Sequence, residues 1–138
     1  MRTLITGSPR TGKTTMALEL TESGMAGRHY CTDPQNHPAV PAGVSGTPVG
    51  LEWSECSLWV AQHWLELPGP WVIEGVSVPR ALRKWRAMNP EAPPPCDRLI
   101  VLVETHEPLT ARQAKISQDL HGVLDELRDW LAPVMVFM

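Results

Sequence analysis

The sequence predicts an α/β protein in which a five-stranded, mostly parallel sheet lies between two layers of helices. Apolar strands alternate with helical patterns along the chain, which is typical of parallel sheets covered on both faces. Residues 99–103 (LIVLV) form a continuous apolar run of the kind that such sheets bury. A glycine-rich loop joins the first strand to the first helix. With 138 residues and no internal repeat, we predict a single three-layer α/β/α domain over residues 1–138.

The elements follow from hydrophobic periodicity and from the residues that interrupt it. We predict five strands, at residues 3–6, 28–32, 71–73, 99–103 and 134–137. Apolar residues three or four positions apart predict four helices, the first beginning near Lys13 and the others over 51–67, 78–88 and 116–131. Residues 34–50 have no hydrophobic period and predict a long loop, a kind of segment that is usually functional or mobile. Residues 89–95 are a proline-rich linker.

The loop after the first strand has the sequence GSPRTGKT, which fits the Walker A pattern Gly-x4-Gly-Lys-[Ser/Thr]. Its glycines allow a tight turn whose amides face a phosphate, and the helix that follows adds the positive end of its dipole. Lys13 would reach the β- and γ-phosphates of ATP, and the Thr14 hydroxyl would ligate Mg²⁺. The alternative is a glycine-rich turn that binds nothing. We predict that the nucleotide contacts Gly7, Ser8, Pro9, Arg10, Thr11, Gly12, Lys13, Thr14 and Thr15.

Two acidic residues follow predicted strands at the edge of the sheet where the nucleotide would bind. Glu74 ends the apolar run WVI, as the acid of a Walker B element does, and would hold Mg²⁺ beside Thr14. The alternative is an acid that ends a buried strand at the surface. Asp33 ends the second strand and would orient an acceptor hydroxyl, act as general base or join the Mg²⁺ shell. Its alternative is a turn residue before Pro34.

Basic and amide side chains on the predicted helix at 78–88 and in the segment before the last predicted helix are candidates for contact with the acceptor or the triphosphate. Arg80 is the first basic residue after Glu74 and would clamp an anionic substrate, although such charge runs are usually solvated helix faces. Arg112 and Lys115 would fold over the triphosphate and neutralise developing charge, and Gln113 would orient an acceptor or a water. The alternative is an ordinary helix start capped by Thr110.

These assignments give three overlapping sets of predicted site residues. The predicted catalytic residues are Lys13, Asp33, Glu74 and Arg112, and Thr14 and Glu74 are the predicted metal ligands. The predicted acceptor-binding residues are Asp33, Arg80, Gln113 and Lys115.

The composition argues against several other classes of protein. A net charge of −3 gives no electrostatic reason to expect nucleic acid or an anionic membrane as partner. The three cysteines and five histidines have no metal-ligand spacing. No apolar run approaches the roughly 20 residues that span a bilayer, and the first strand begins too early to leave room for a signal peptide. We therefore expect a cytoplasmic protein.

The order of these parts resembles the P-loop kinases, the group that contains adenylate, nucleoside monophosphate, gluconate and shikimate kinases. Shared parts are the N-terminal P-loop, an acid after the second strand, an acid–glycine pair after the third and an arginine-bearing segment after the fourth. Ile73-Glu74-Gly75 followed by Pro79-Arg80 is similar to the Asp-Gly and Pro-Arg pattern of nucleoside monophosphate kinases. The resemblance implies strand order 2-3-1-4-5, phosphate transfer from ATP and a lid near Arg112. The compact size is also similar to small ATPases or kinases encoded by bacteriophages.

Three functions are consistent with this pattern. The leading hypothesis is a phosphotransferase that moves the γ-phosphate of Mg·ATP to a small acceptor, for which a nucleoside monophosphate is one candidate. The second is an ATP-hydrolysing switch or motor subunit that acts with a macromolecular partner; the absence of an Asn-Lys-x-Asp motif weighs against a GTPase. The third is a nucleotide-binding regulatory module with little turnover.

Overall fold

The computed structural model describes residues 1–24 and 27–138, which form a six-stranded parallel sheet and five helices. The strands are β1 (Arg2–Gly7), β2 (Arg28–Pro34), β3 (Ser45–Thr47), β4 (Trp71–Glu74), β5 (Arg98–Leu102) and β6 (Met135–Phe137). The helices are α1 (Lys13–Glu22), α2 (Trp53–His63), α3 (Val78–Met88), α4 (Ala111–Glu126) and α5 (Arg128–Leu131).

The strands lie in the order β3-β2-β4-β1-β5-β6, and every neighbouring pair is parallel. The α/β class is therefore confirmed, and the five predicted strands lie in the predicted order. The predicted number of five strands was wrong, because a sixth strand, β3, lies beyond β2 within the segment predicted as a continuous loop.

The sequence hides β3 because its pairing depends on backbone and not on apolar side chains. Its residues are Ser-Gly-Thr, and Gly46 lies so close to β2 that a Cβ there would be 2.7 Å from the Asp33 carbonyl oxygen. The Gln35 side chain accepts a hydrogen bond from the Gly46 amide at 2.7 Å, and the Thr47 hydroxyl donates to the Thr32 carbonyl at 3.3 Å. This edge strand therefore fixes the backbone next to Asp33.

Two apolar clusters lie on opposite faces of the sheet, because side chains alternate along each strand. The larger cluster contains Leu4, Ile73, Leu99 and Val101 from the sheet and is covered by α2, α3, α4 and α5. The smaller contains Ile5, Val72, Ile100 and Leu102 and is covered by Ala17 of α1. The last predicted helix is divided in the structure, since α4 ends at Glu126 and α5 begins at Arg128.

The register brings the carboxyl ends of the central strands to one edge of the sheet. Gly7 of β1 pairs with Leu102 of β5, while Ile5 of β1 and Cys31 of β2 both pair with Glu74 of β4. The loops that leave these strands therefore surround one site. Among the described residues, no helix is long and apolar enough to cross a membrane.

Candidate nucleotide and acceptor site

The loop between β1 and α1 depends on two glycines for its path. Gly7 has φ +152°, and a Cβ there would lie 2.5 Å from the carbonyl oxygen of Leu102. Gly12 has φ +86° and is the N-cap of α1, so the loop turns directly into the helix. Positive φ and close backbone approach are conditions that glycine meets at little cost. The free amides of the first turn of α1 therefore open toward the loop, an arrangement suited to an anion.

Lys13 is held by the loop that it follows. Its ammonium donates to the carbonyl oxygen of Ser8 at 2.9 Å and lies 3.4 Å from the Thr11 hydroxyl. Burial lowers the pKa of Lys13, while the carboxylates of Glu74 and Asp33 act in the opposite direction. The ammonium is thus a partly desolvated cation directed at the loop, where its interaction with a phosphate would be less screened than in water.

A row of polar side chains on β2 faces the same side of the sheet as Glu74. Residues two apart on a strand share a face, so His29, Cys31 and Asp33 point the same way, and Cys31 lies directly opposite Glu74. Asp33 and Glu74 were predicted site residues, whereas His29 was not, because the histidines have no metal-ligand spacing in the sequence. The period-two spacing of His29, Cys31 and Asp33 was the signal that could have identified the row.

Glu74 is buried, with 2% of its surface exposed, so it does not merely end a strand at the surface. Burial acts to raise its pKa, but contacts with His29, Thr14 and Cys31 outweigh that effect and the pKa lies below its usual value. The Oε2 atom lies 3.4 Å from Nε2 of His29, yet neither atom has a hydrogen-bond partner of good geometry within residues 1–24 and 27–138. A buried, ionised carboxylate with an unsatisfied oxygen beside the Thr14 hydroxyl fits a divalent cation.

Asp33 is less enclosed than Glu74 and has a different electrostatic environment. Its carboxylate accepts a weak hydrogen bond from the Cys31 thiol at 3.7 Å and lies 4.0 Å from Nδ1 of His37. Burial raises the pKa of Asp33, and the favourable interaction with His37 offsets only part of that effect. A carboxylate with a raised pKa is better suited to accept a proton than an ordinary surface aspartate.

One cleft of about 730 Å³ joins the loop, the two acids and the first turn of α4. The predicted site residues that line it are Pro9, Arg10, Gly12, Lys13, Thr14, Thr15, Asp33, Glu74, Arg112 and Gln113. Three other loop residues, Gly7, Ser8 and Thr11, are buried behind this surface. The far side of the cleft is formed by Pro34, His37, Ala39, Leu51, Trp53, Val76 and Ser77. The cleft therefore extends well beyond the loop, toward the segment predicted as a long loop.

A smaller cavity of about 220 Å³ adjoins the cleft and contains the remaining predicted residues, Arg80 and Lys115. Arg112 lines both cavities, as does Trp53, which is 41% exposed. The Arg80 guanidinium lies 3.7 Å from the Asp119 carboxylate. Three cationic side chains and one carboxylate thus line this side cavity.

The segment after β5 covers the glycine-rich loop through contacts that the sequence did not reveal. The Arg10 guanidinium forms an ion pair with Glu107, and its Nε donates to Oε1 of Gln113 at 3.4 Å. The His106 amide donates to the Arg10 carbonyl at 2.8 Å, and the His106 ring lies over Gly12. This segment and the start of α4 are therefore attached to the loop at Arg10.

The second and third turns of α4 provide a second attachment. Ser117 forms a hydrogen bond with the Ser8 hydroxyl, and Nε2 of His121 lies 3.5 Å from the same hydroxyl. Ser117 and His121 were not among the predicted site residues, because one turn of helix separates them and neither belongs to a recognisable motif. A rearrangement of the loop at Ser8 would therefore change the contacts of two residues of α4.

Within residues 1–24 and 27–138, no group of three or more His, Cys, Asp or Glu side chains is arranged to hold a metal ion by itself. No protein-family model and no curated protein matches this chain. The function is accordingly inferred from the geometry of the site.

Proposed function

We propose that this protein is a P-loop phosphotransferase that binds Mg·ATP and moves its γ-phosphate to a small anionic acceptor. Its fold would then be the three-layer α/β/α arrangement of the P-loop NTPases. A single observation carries the proposal: the glycine-rich loop, two acids and the first turn of α4 line one continuous cleft that is larger than the loop itself requires.

The nucleotide half of the proposal is supported by the loop and Lys13. The positive φ angles of Gly7 and Gly12 allow the backbone to curve around a phosphate, and α1 begins directly after Gly12. Lys13 already directs its ammonium into the loop, at 2.9 Å from the Ser8 carbonyl. Exchange of this carbonyl for a phosphate oxygen would replace a neutral acceptor with a charged one, which strengthens the hydrogen bond.

The residues at the end of β4 fit a magnesium ion. Thr14 and Glu74 lie close together, and the unsatisfied Oε2 of Glu74 is a buried acceptor of the oxygen type that Mg²⁺ prefers. When bound, the ion would neutralise charge on the β- and γ-phosphates. Glu74 would stay ionised throughout, because its environment keeps its pKa low.

The acceptor half of the proposal rests on Asp33, on the first turn of α4 and on the side cavity. Asp33 has a raised pKa and would take the proton of the attacking hydroxyl or orient it. Arg112 and Gln113 line the same cleft from α4 and would neutralise and orient the transferring group. The side cavity, with Arg80 and Lys115, gives an anionic acceptor a place for its non-reacting end. Catalysis would be chiefly positioning and electrostatic stabilisation.

The test is ADP formation from Mg·ATP with a panel of acceptors, which includes nucleoside monophosphates, nucleosides and sugar acids. Lys13→Ala is the blank, and Arg83→Ala, which removes an exposed ion pair with Glu126 away from the cleft, is the matched control. One acceptor should raise ADP formation well above the basal rate in the wild type and in Arg83→Ala, but not in Lys13→Ala. If basal ADP formation persists and no acceptor raises it, the second candidate, an ATPase that acts with a macromolecular partner, replaces the phosphotransferase. If no ADP forms, a regulatory nucleotide-binding module is the remaining candidate.

A further inference from the structure

A buried histidine lies beside the proposed magnesium ligand. The side chains of His29 and Glu74 are 5% and 2% exposed, and His29 Nε2 is 3.4 Å from Glu74 Oε2. His29 is two residues before Cys31, the register partner of Glu74, so strand alternation places it on the same face of the sheet. The β2–β4 register therefore determines this contact, and both side chains are buried.

Both side chains have unsatisfied polar atoms. In the part of the chain that the structure describes, neither ring nitrogen of His29 has a hydrogen-bond partner. The same is true of the Oε2 atom of Glu74. A buried polar atom that is left unpaired loses its hydrogen bonds to water and gains none in return, which destabilises the folded state. At 3.4 Å, a small change in either side-chain torsion would align a hydrogen bond between Nε2 and Oε2. An apolar side chain would fill the same buried position without that cost, so the histidine calls for a functional reason.

We propose that His29 is a positioning residue for Glu74: its Nε2–H donates to Oε2 and holds the carboxylate in the orientation in which it serves the magnesium of the bound nucleotide. The inference rests on the proposed function. Residues that hydrogen-bond to a metal ligand commonly fix the orientation of that ligand in this way, and their loss typically weakens metal affinity or activity by about 10- to 100-fold. His29 would not touch the nucleotide, since it is absent from the cleft lining.

The first experiment measures how Mg²⁺ strengthens the binding of a fluorescent ADP analogue. We expect His29→Leu to raise the Mg²⁺ concentration at half effect by about 10- to 100-fold and to leave Mg²⁺-free ADP binding unchanged. His29→Gln, whose Nε2 amide can replace the ring donor, should recover most of the loss. Trp85→Phe is the matched control, because it removes another buried, unpaired nitrogen on the opposite face of the sheet and should not change the Mg²⁺ dependence.

A double-mutant cycle separates positioning from general packing. In a Glu74→Gln background, His29→Leu should produce no further change in the Mg²⁺ dependence, since the carboxylate that it positions is gone. An equal shift in both backgrounds would overturn the proposal. If the wild type binds ADP without any response to Mg²⁺, the proposed function fails first; if it responds and His29→Leu responds identically, only the role of His29 fails.

A second measurement keeps the proposal testable if His29→Leu does not fold. The ¹⁵N chemical shifts of the histidine rings in the wild-type protein report which ring nitrogen carries the proton. The His29 ring should carry a proton on Nε2. Its signals are assigned as those that disappear from the spectrum of His29→Gln. A ring protonated only on Nδ1 has no donor facing Glu74 and would contradict the proposal.

Discussion

Gly12 adopts a backbone conformation that L side chains rarely take, at the point where the loop enters α1. Its φ is +86°, and a Cβ at this position would lie 3.0 Å from Cε1 of His106. Gly43 has almost the same φ, +83°, but an added Cβ would meet nothing within 4 Å. The two glycines therefore have nearly the same φ, which would strain any other residue, and they differ in what an added Cβ would meet.

Alanine at these two positions should separate strain from site geometry. Both Gly12→Ala and Gly43→Ala should lower the free energy of unfolding by about 1–2 kcal/mol, the cost of a left-handed non-glycine residue. Only Gly12→Ala should also weaken ATP binding, because it displaces either the loop or His106. Denaturant unfolding and nucleotide titration of both variants test this, and equal ATP affinities would show that the loop tolerates the Cβ.

Asp33 gives a pH-dependent prediction whose sign follows from its burial. Because its pKa is raised in the folded protein, the folded state holds the Asp33 proton more tightly than the unfolded state does. Its contribution to stability is therefore greatest below the pKa of the unfolded state and is lost as the pH rises through the folded pKa. Asn at position 33 cannot ionise, so the stability of Asp33→Asn does not fall as the pH rises through the pKa of Asp33. The variant should therefore be more stable than the wild type near neutral pH and should lose that advantage in acid.

The control for Asp33 is Asp97, an aspartate whose pKa is shifted in the opposite direction. Hydrogen bonds from the Arg2 amide and guanidinium lower the pKa of Asp97, so its stabilising contribution is present above the unfolded pKa and disappears as the pH falls. Asp97→Asn should therefore be less stable than the wild type at neutral pH and equal to it in acid. Unfolding free energies measured across the acid range decide the matter, and parallel pH curves for the two variants would refute the assignment.

At the scale of the elements, the strands with an apolar signal were predicted and the strand without one was not. Residues 71–73 and 99–102 are apolar because β4 and β5 are buried on both faces, so these two strands can be located from the sequence. β3 pairs through backbone atoms that any sequence possesses, and only the closeness of Gly46 to β2 marks it. Asp33 and Glu74 were predicted to meet because parallel strands end at one edge. The contacts of His29, Ser117 and Glu107 depend on register and helix docking, which one sequence does not encode locally.

Two glycines outside the loop at residues 7–14 test this account of the strands and helices. Gly46→Ala should destabilise the fold by about 1–3 kcal/mol, because a Cβ would collide with backbone atoms of Asp33 and Gln35 and push β3 away. Gly122→Ala lies on α4 with open space around the new methyl group and should stabilise the fold by about 0.5–1 kcal/mol. Thermal and denaturant unfolding of the pair provide the measurement. A stabilising Gly46→Ala would mean that β3 is not paired as the structure shows.

At the scale of the whole molecule, the site connects parts of the chain that are distant in sequence. The loop at residues 7–14, the ends of β2 and β4, and the start of α4 all line the cleft. A ligand that binds all of them contacts only the folded chain, so its binding free energy adds to the stability of the entire domain. This linkage gives a readout of nucleotide binding that does not depend on turnover or on knowledge of the acceptor.

Mg·ADP at about 100 times its dissociation constant should therefore stabilise the protein by about 2.7 kcal/mol, a rise in Tm on the order of 10 °C for a domain of this size. Lys13→Ala should lose most of that rise, because it removes a partly buried ammonium that lies 2.9 Å from the Ser8 carbonyl oxygen of the loop. Arg83→Ala should keep it, since its ion pair with Glu126 lies outside the cleft. Thermal unfolding with increasing Mg·ADP measures all three proteins. If Lys13→Ala keeps the full rise, the nucleotide binds elsewhere, and the loop at residues 7–14 is a structural turn.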